Sequence, residues 1–175
     1  MQSCSNHDIE EFRKVLGVFT TGVTIVTARG FHGEPVGITA NSFNSVSLRP
    51  PMVLWSLAAA SRSRPAFDAT SLWAVHILSA DQDMLSNRFA QSGADKFDGI
   101  ELATGVGNLP LLTGCAARLQ CRTSFKREAG DHIIFVGDVL DFDRCDLPPL
   151  VFQSGSYALA TRKNGHANEC RRRNR

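Results

Sequence analysis

The spacing of apolar residues changes period several times along the chain, and the changes mark its elements. Ile9, Phe12, Val15 and Leu16 recur at helical spacing within residues 8–16, which predicts one short amphipathic helix with Ser5 or Asn6 able to cap its start. A β-branched run over 23–27, bounded by Gly30 and Gly33, reads as a strand ending in a turn, and 36–40 folds back on it as a hairpin. Phe43, Val46 and Leu48 continue an extended segment until Pro50-Pro51 stops it. The almost wholly apolar run 52–57 that follows is a buried strand. Pro65 can open a brief helix reaching Ala69, 73–78 is another strand, and Asp81 suits the N-cap of a helix through Met84, Leu85, Arg88 and Phe89.

Residues 92–110 carry Gly, Asp and Asn and read as one loop, longer than usual connections and so of the functional kind. Two long strands, 115–126 and 132–142, follow, joined by a turn over 127–130. Pro148-Pro149 introduces a short strand at 150–152, with Gly155 and Tyr157 beyond it, and nothing after Arg162 suggests structure. Seven or so strands, two or three short helices, no βα alternation and no internal repeat predict a mainly β chain, an antiparallel barrel or sandwich rather than a doubly wound sheet. No GxGxxG follows a strand and no Walker loop is present, so any dinucleotide is held without the Rossmann arrangement.

Composition narrows the classes further. At 175 residues, with 43% hydrophobic and 21% charged residues, the chain fits one ordinary globular domain over 1–160. The net charge of +2 rests on Arg171, Arg172, Arg173 and Arg175, without which the remainder is slightly acidic. Residues 161–175 therefore read as a disordered basic tail rather than a nucleic-acid-binding element. No apolar stretch reaches membrane-span length and the N-terminus lacks the features of a secretory signal, so the expectation is a cytoplasmic protein without a membrane partner. Five cysteines form no CxxC pair and suggest free thiols. Cys115 and Cys121, six apart, would share one face of a continuous strand and pack there. The histidines are scattered without HExxH, which leaves no metal site. A serine hydrolase is disfavoured because no GxSxG occurs and Asp131 and His132, adjacent in a strand, would face opposite ways.

Two stretches carry candidate chemistry. The first, VGITANSFNSVSLRPPMVLWSLAAASRSRPAF over 36–67, has small polar residues (Thr39, Ala40, Asn41, Ser42), a turn at Arg49-Pro50-Pro51 and a hydroxyl- and arginine-rich loop, Ser61-Arg62-Ser63-Arg64. It suits a flat ligand carrying a phosphate, the loop supplying donors and positive charge. A solvated hairpin loop accounts for the same residues. The second is Gly130-Asp131-His132 at the mouth of the last long hairpin, where an imidazole could stack on or hydrogen-bond a nicotinamide or flavin edge, or simply occupy a rim position after a turn.

Six segments in order, FRKVLGVFTTGVTIVTA (12–28), GITANSFNSVSLRPPMVLWSL (37–57), SRS (61–63), LSNRFA (85–90), KFDGI (96–100) and AGDHIIFVGDV (129–139), resemble the short-chain flavin reductase family. These are the NAD(P)H-dependent partners of two-component flavin monooxygenases. The resemblance implies a split β-barrel, a homodimer, FMN or FAD as flavin, NADH or NADPH as co-substrate, and a separate oxygenase that receives reduced flavin. It puts Thr39, Ala40, Asn41 and Ser42 along the isoalloxazine. Ser56, Leu57, Ala58, Ser61, Arg62 and Ser63 would wrap the ribityl chain and phosphate. Arg88-Phe89 and Lys96-Phe97 would close over the phosphate side, Asp131-His132 matches the nicotinamide motif, and Tyr157 lies near the cofactor. The chain departs from the family pattern at Arg49, where Asp is common, at Ala58-Ala59-Ala60, where polar residues are usual, and at His76, where Asn is frequent.

The reaction so implied passes hydride from nicotinamide C4 to flavin N5, and no side chain is assigned as general acid or base. Backbone N–H groups of 39–42 or 56–63 are the expected stabilisers of charge near flavin N1. Two alternatives keep the broad architecture: a flavin-binding carrier or sensor without turnover, and an oxidase of the pyridoxamine-phosphate type.

Overall fold

In the computed structural model, residues 6–93 and 95–161 are described. Helix α1 (Asn6–Gly17) precedes strands β1 (Thr21–Gly22), β2 (Thr24–Arg29), β3 (Pro35–Ala40), β4 (Asn44–Leu48) and β5 (Pro51–Ala58). Then come α2 (Arg64–Ala69), β6 (Leu72–Ile77), α3 (Asp83–Ala90), β7 (Leu102–Thr104), β8 (Pro110–Leu112) and the long β9 (Ala117–Ala129) and β10 (His132–Arg144). Strands β11 (Leu150–Gln153) and β12 (Ser156–Leu159) end the described chain. The basic tail expected over 161–175 lies, beyond residue 161, outside the described residues, as do Ser5, Cys4 and Cys170.

Seven strands form one antiparallel sheet in the order β3-β2-β6-β9-β10-β5-β4, flanked by a three-stranded sheet (β1-β11-β12) and the β7-β8 pair. The architecture is mainly β with few helices. The sheet order is open, yet Val36, Ile38 and Ala40 of one edge strand and Phe43 beside the other pack against the same core as Trp55 and Phe135 of the other half. The sheet therefore curls around that core while no ladder joins β3 to β4 among the described residues.

Strand alternation explains the core. Along β5, Val53, Trp55 and Leu57 point inward while their neighbours are half-exposed. Trp55 stacks on Phe135 with centroids 4.9 Å apart and meets Phe67 edge-on at 4.9 Å. Removing such a buried ring costs about 3–5 kcal/mol. A second cluster, including Ile25, Leu78, Phe89 and Leu150, lies beneath α3. His76 is wholly buried. Its Nδ1 is 3.0 Å from the Ile25 carbonyl and its Nε2 accepts from the Leu112 N–H at 3.1 Å, which fixes a neutral tautomer across three elements. Burial pushes its pKa down to about 4.

Several expectations are corrected. Helix α1 forms, but Phe12, Val15 and Leu16 on its apolar stripe are exposed. Asp81 does not cap α3, because Gln82 holds that position and the Asp81 carboxylate accepts instead from Ser79 Oγ at 2.6 Å. The 92–110 segment is not one loop: β7 pairs with β8 across a 3₁₀ turn at Val106–Asn108. Cys115 precedes β9, so it shares no strand face with Cys121. Both are buried nonetheless, and burial pushes their thiols up to about 11 and about 12. Strand β9 runs to Ala129, which shortens the expected 127–130 turn to two residues, Gly130 (φ 62°) and Asp131. A positive φ there is the reason glycine suits the turn.

Candidate functional site

Strand β5 delivers its C-terminal end beside the β9–β10 turn. In the β5–β10 ladder His132 lies opposite Ala58, and the Ala59 N–H donates to the Asp131 carbonyl at 2.8 Å. Beyond Ala58 the chain makes two tight turns, Ser61 N–H to the Ala58 carbonyl and Arg64 N–H to the Ser61 carbonyl, as α2 starts at Arg64 with Pro65 in its first turn. Arg64 fastens this loop by donating to the Ala59 carbonyl (3.3 Å) and to Asp68 (3.1 Å). Lys126 holds the other side of α2, with Nζ 3.0 Å from the Phe67 carbonyl and 4.9 Å above the Phe135 ring. Arg62, between the two serines, is exposed and its guanidinium has no hydrogen-bond or ion-pair partner among the described residues.

Asp131 and His132 do touch, contrary to the argument from strand alternation. Asp131 belongs to the turn and only His132 starts β10, so Nδ1 lies 2.7 Å from Asp131 Oδ1. The imidazole beside it holds the Asp131 carboxyl below the usual carboxylate range.

At the far end of β3, a small cleft of about 240 Å³ is lined by Thr39, Ala40, Asn41, Ser86 and Tyr157. Apart from Asn41, whose side chain has no partner among the described residues, its polar groups bind one another or α3. Thr39 Oγ1 donates to the Ser86 carbonyl at 2.7 Å, and the Tyr157 hydroxyl lies 2.8 Å from Ser86 Oγ and 2.9 Å from Asn87 Oδ1. Ser42 Oγ accepts from the Ser56 N–H (2.9 Å) and donates to the Ser56 carbonyl (3.1 Å), tying the small-residue run to β5.

Arg88, Phe89, Lys96 and Phe97 form a seam. Phe89 and Phe97 meet edge-on at 4.9 Å over Gly37, where an added Cβ would fall 2.5 Å from the Phe89 ring. Lys96 Nζ donates to the carbonyls of Phe89 (2.9 Å) and Gly37 (3.2 Å), and burial lowers its pKa. Arg88 donates to the carbonyls of Asp98 (2.6 Å) and Asp95 (3.0 Å). These cations are thus engaged in holding the 95–100 segment against α3. Leu57 and Phe89 turn their side chains into the core, leaving only backbone to face a ligand.

A cavity of about 710 Å³ is lined by Ser61, Arg62 and Ser63, by Phe31, His32 and Glu34 of the turn after β2, and by Lys96. Sequence reading missed Ser86 and Asn87, although LSNRFA contains them, and it missed Phe31 and Glu34, which carried only a turn signal. Among the described residues no group of three or more His, Cys, Asp or Glu could hold a metal ion, and no helix is long and apolar enough to cross a membrane.

Comparison with known proteins adds an independent line. The family described as "Flavin reductase like domain" matches residues 16–160. The chain is 47% identical over 152 residues to the FMN reductase (NADH) SmoA of Agrobacterium fabrum, covering 87% of this chain and 86% of that protein. Its fold is similar to that of nitrilotriacetate monooxygenase component B from Mycobacterium thermoresistibile, with a TM-score of 0.87, 34% identity and coverage of 94% of this chain and 93% of the other. It is also similar to the NADH:FAD oxidoreductase SgcE6 of Streptomyces globisporus in complex with NAD and FAD fragments, with a TM-score of 0.85, 34% identity and coverage of 94% and 100%.

Proposed function

Because this chain belongs to the flavin reductase-like family, we propose that it is an NAD(P)H-dependent flavin reductase delivering reduced FMN or FAD to a separate flavin-dependent monooxygenase. The residues fit a flavin phosphate: an unpartnered Arg62 guanidinium and the hydroxyls of Ser61 and Ser63 line a cavity of ordinary ligand size. When bound, the flavin supplies the acceptor for a hydride from the nicotinamide.

The chain's own residues supply position. Thr39, Ala40, Asn41 and Ser42 would line the ring, held in shape by their bonds to α3 and β5. Ser56 to Ser63 would carry the ribityl and phosphate contacts, with Arg62 as the charged donor. Arg88, Phe89, Lys96 and Phe97 act as the seam behind that loop, and Tyr157 steadies α3 through Ser86. The observation that carries the reading is the register of β5 with β10. It brings Asp131-His132 beside Ala58 and Ala59, which supports reading the first pair as the nicotinamide contact and the loop after the second as the flavin contact. No general acid or base is needed.

The same reading makes residues 1–160 one split-barrel domain, supported by the curled sheet, in a cytoplasmic homodimer. A homodimer is supported by apolar surface left uncovered, with Phe12 and Leu16 on α1 and Leu48 and Phe142 along an open groove of about 610 Å³. Sedimentation would test it. A separate oxygenase follows from relatives named as one component of a monooxygenase.

The deciding experiment is NADH oxidation at 340 nm, anaerobically and in air, with FMN, FAD or neither. Oxidation that requires added flavin is expected. No oxidation with either flavin would leave a flavin carrier or sensor as the better account.

A further inference from the structure

His132 is held from several sides. Its backbone lies in the ladder opposite Ala58 of β5 and opposite Ala129 of β9. The residue before it is tied to β5 through the Asp131 carbonyl, which accepts from the Ala59 N–H at 2.8 Å. The ring itself is held by Asp131 Oδ1, 2.7 Å from Nδ1. That last bond does little for the fold, since the Asp131 side chain is 94% exposed and pairs so exposed contribute little to stability.

Its consequence is chemical. The hydrogen bond from His132, with the charges of His132 and Arg13 adding to it, holds the Asp131 carboxyl below the usual carboxylate range, so it is ionised at neutral pH. A carboxylate only accepts, and Nδ1 must therefore carry the proton of the bond. The neutral ring then keeps its lone pair on Nε2. Nε2 has no partner among the described residues, and the cross-strand neighbours Ala58 and Ala129 bring only methyl groups, which cannot compete for it. Without the carboxylate the proton is free to sit on either nitrogen, and in the Nε2–H form the ring offers a donor instead of an acceptor.

On a nicotinamide ring the carboxamide N–H is the group that can donate to such an acceptor. We infer that Asp131 is a positioning residue, which fixes the His132 ring so that Nε2 accepts from the carboxamide N–H of the nicotinamide. The identity of that ligand rests on the flavin reductase reading, whereas the tautomer follows from the carboxylate alone.

The tautomer is read directly by 15N NMR of the full chain, with the ring neutral. Wild type is expected to show His132 protonated on Nδ1 and bare on Nε2, and Asp131→Ala a mixture of both forms. Asp131 is exposed and its carbonyl remains, so the variant keeps the bond to Ala59. Binding is then compared by calorimetry for NAD+ and its 3-acetylpyridine analogue, whose acetyl group keeps the carbonyl but has no N–H. Wild type is expected to favour NAD+ by about threefold and Asp131→Ala to bind the two alike. The charge removed with Asp131 acts on both ligands equally, so the ratio alone reports the carboxamide contact. A wild-type ring protonated on Nε2, a ratio near one in wild type, or a ratio unchanged in Asp131→Ala would overturn the role while NADH oxidation with added flavin continues. A chain with the expected tautomer that binds neither dinucleotide and oxidises no NADH would overturn the role and the reductase reading together.

Discussion

Two clefts flank α3, and their polar groups are arranged in opposite ways. In the narrow one, Thr39, Ser86, Asn87 and Tyr157 satisfy one another. In the wide one, the Arg62 guanidinium and one oxygen of Glu34 have no partners among the described residues. The closed network holds the shape of the narrow cleft, whereas Arg62 and Glu34 are exposed and solvated, and so open to a ligand. The contrast suggests a division of labour: a flat ring needs a rigid slot and backbone donors, whereas phosphates need charge that is not already neutralised.

The largest expected effect concerns what stands behind the narrow cleft. His76 pairs in register with Ile25, which in turn pairs with Thr39. Its folded pKa of about 4 lies below the ordinary 6.5. Above pH 6.5 it is neutral in both states and its contribution is complete. As pH falls below 6.5 the unfolded chain takes up a proton that the folded chain refuses, and stability drops by about 3 kcal/mol before levelling near pH 4. Urea denaturation from pH 7 to 4 reads this slope, and His76→Asn should flatten it; an unaltered slope in that variant would assign the loss to other groups.

Next is Arg62→Ala, which removes the unpaired cation of the wide cleft. FMN binding should weaken by about 1.5–3 kcal/mol, the worth of a charged hydrogen bond, while riboflavin, which has no phosphate, serves as reference in the same fluorescence titration. Equal losses for both flavins would move Arg62 off the phosphate.

A smaller effect, about 1 kcal/mol, is expected for Tyr157→Phe, and it should appear in the urea midpoint as the hydroxyl's bond to the narrow-cleft network is lost. A loss of flavin affinity at unchanged stability would mean that the hydroxyl meets the ligand rather than Ser86. Smallest is His132→Ala. Losing one exposed ring contact should cost up to about 1 kcal/mol, seen as a raised KM for NADH with a lesser change in flavin binding. An unchanged NADH-dependent rate would remove His132 from the site.

Much of this was legible before any coordinates. The apolar run 52–57 became β5 with Trp55 at the centre of the core, and the β-branched run 23–27 became β2. What failed was local and short. Strands of three residues, such as Leu102–Thr104, complete too few alternations to register as a period. Asp81 resembled a cap because composition cannot tell that both its side chain and that of Gln82 turn back to Ser79 instead of reaching the helix N–H groups. The Ser61-Arg62-Ser63 loop and the Gly130-Asp131-His132 turn were both visible as motifs. Their adjacency was not, since it depends on which strands pair. Ser86 was hidden for a similar reason: helical spacing identifies an apolar face but does not say which serine will be buried beneath a tyrosine from a distant strand.

The two-residue turn at Gly130-Asp131 also governs what changes of length the protein can accept. It joins β9 and β10, each of 13 residues, and β10 is in turn paired to β5. One residue inserted there is taken up either as a longer turn or as a shift of β9 against β10, which inverts the side chains of one strand up to the first irregularity, between Val136 and Gly137. An insertion in the 95–100 segment shifts no strand of the large sheet. A change of count at the turn is therefore felt along the long hairpin, whereas one at 95–100 is felt in the seam that Lys96 and Phe97 make with α3.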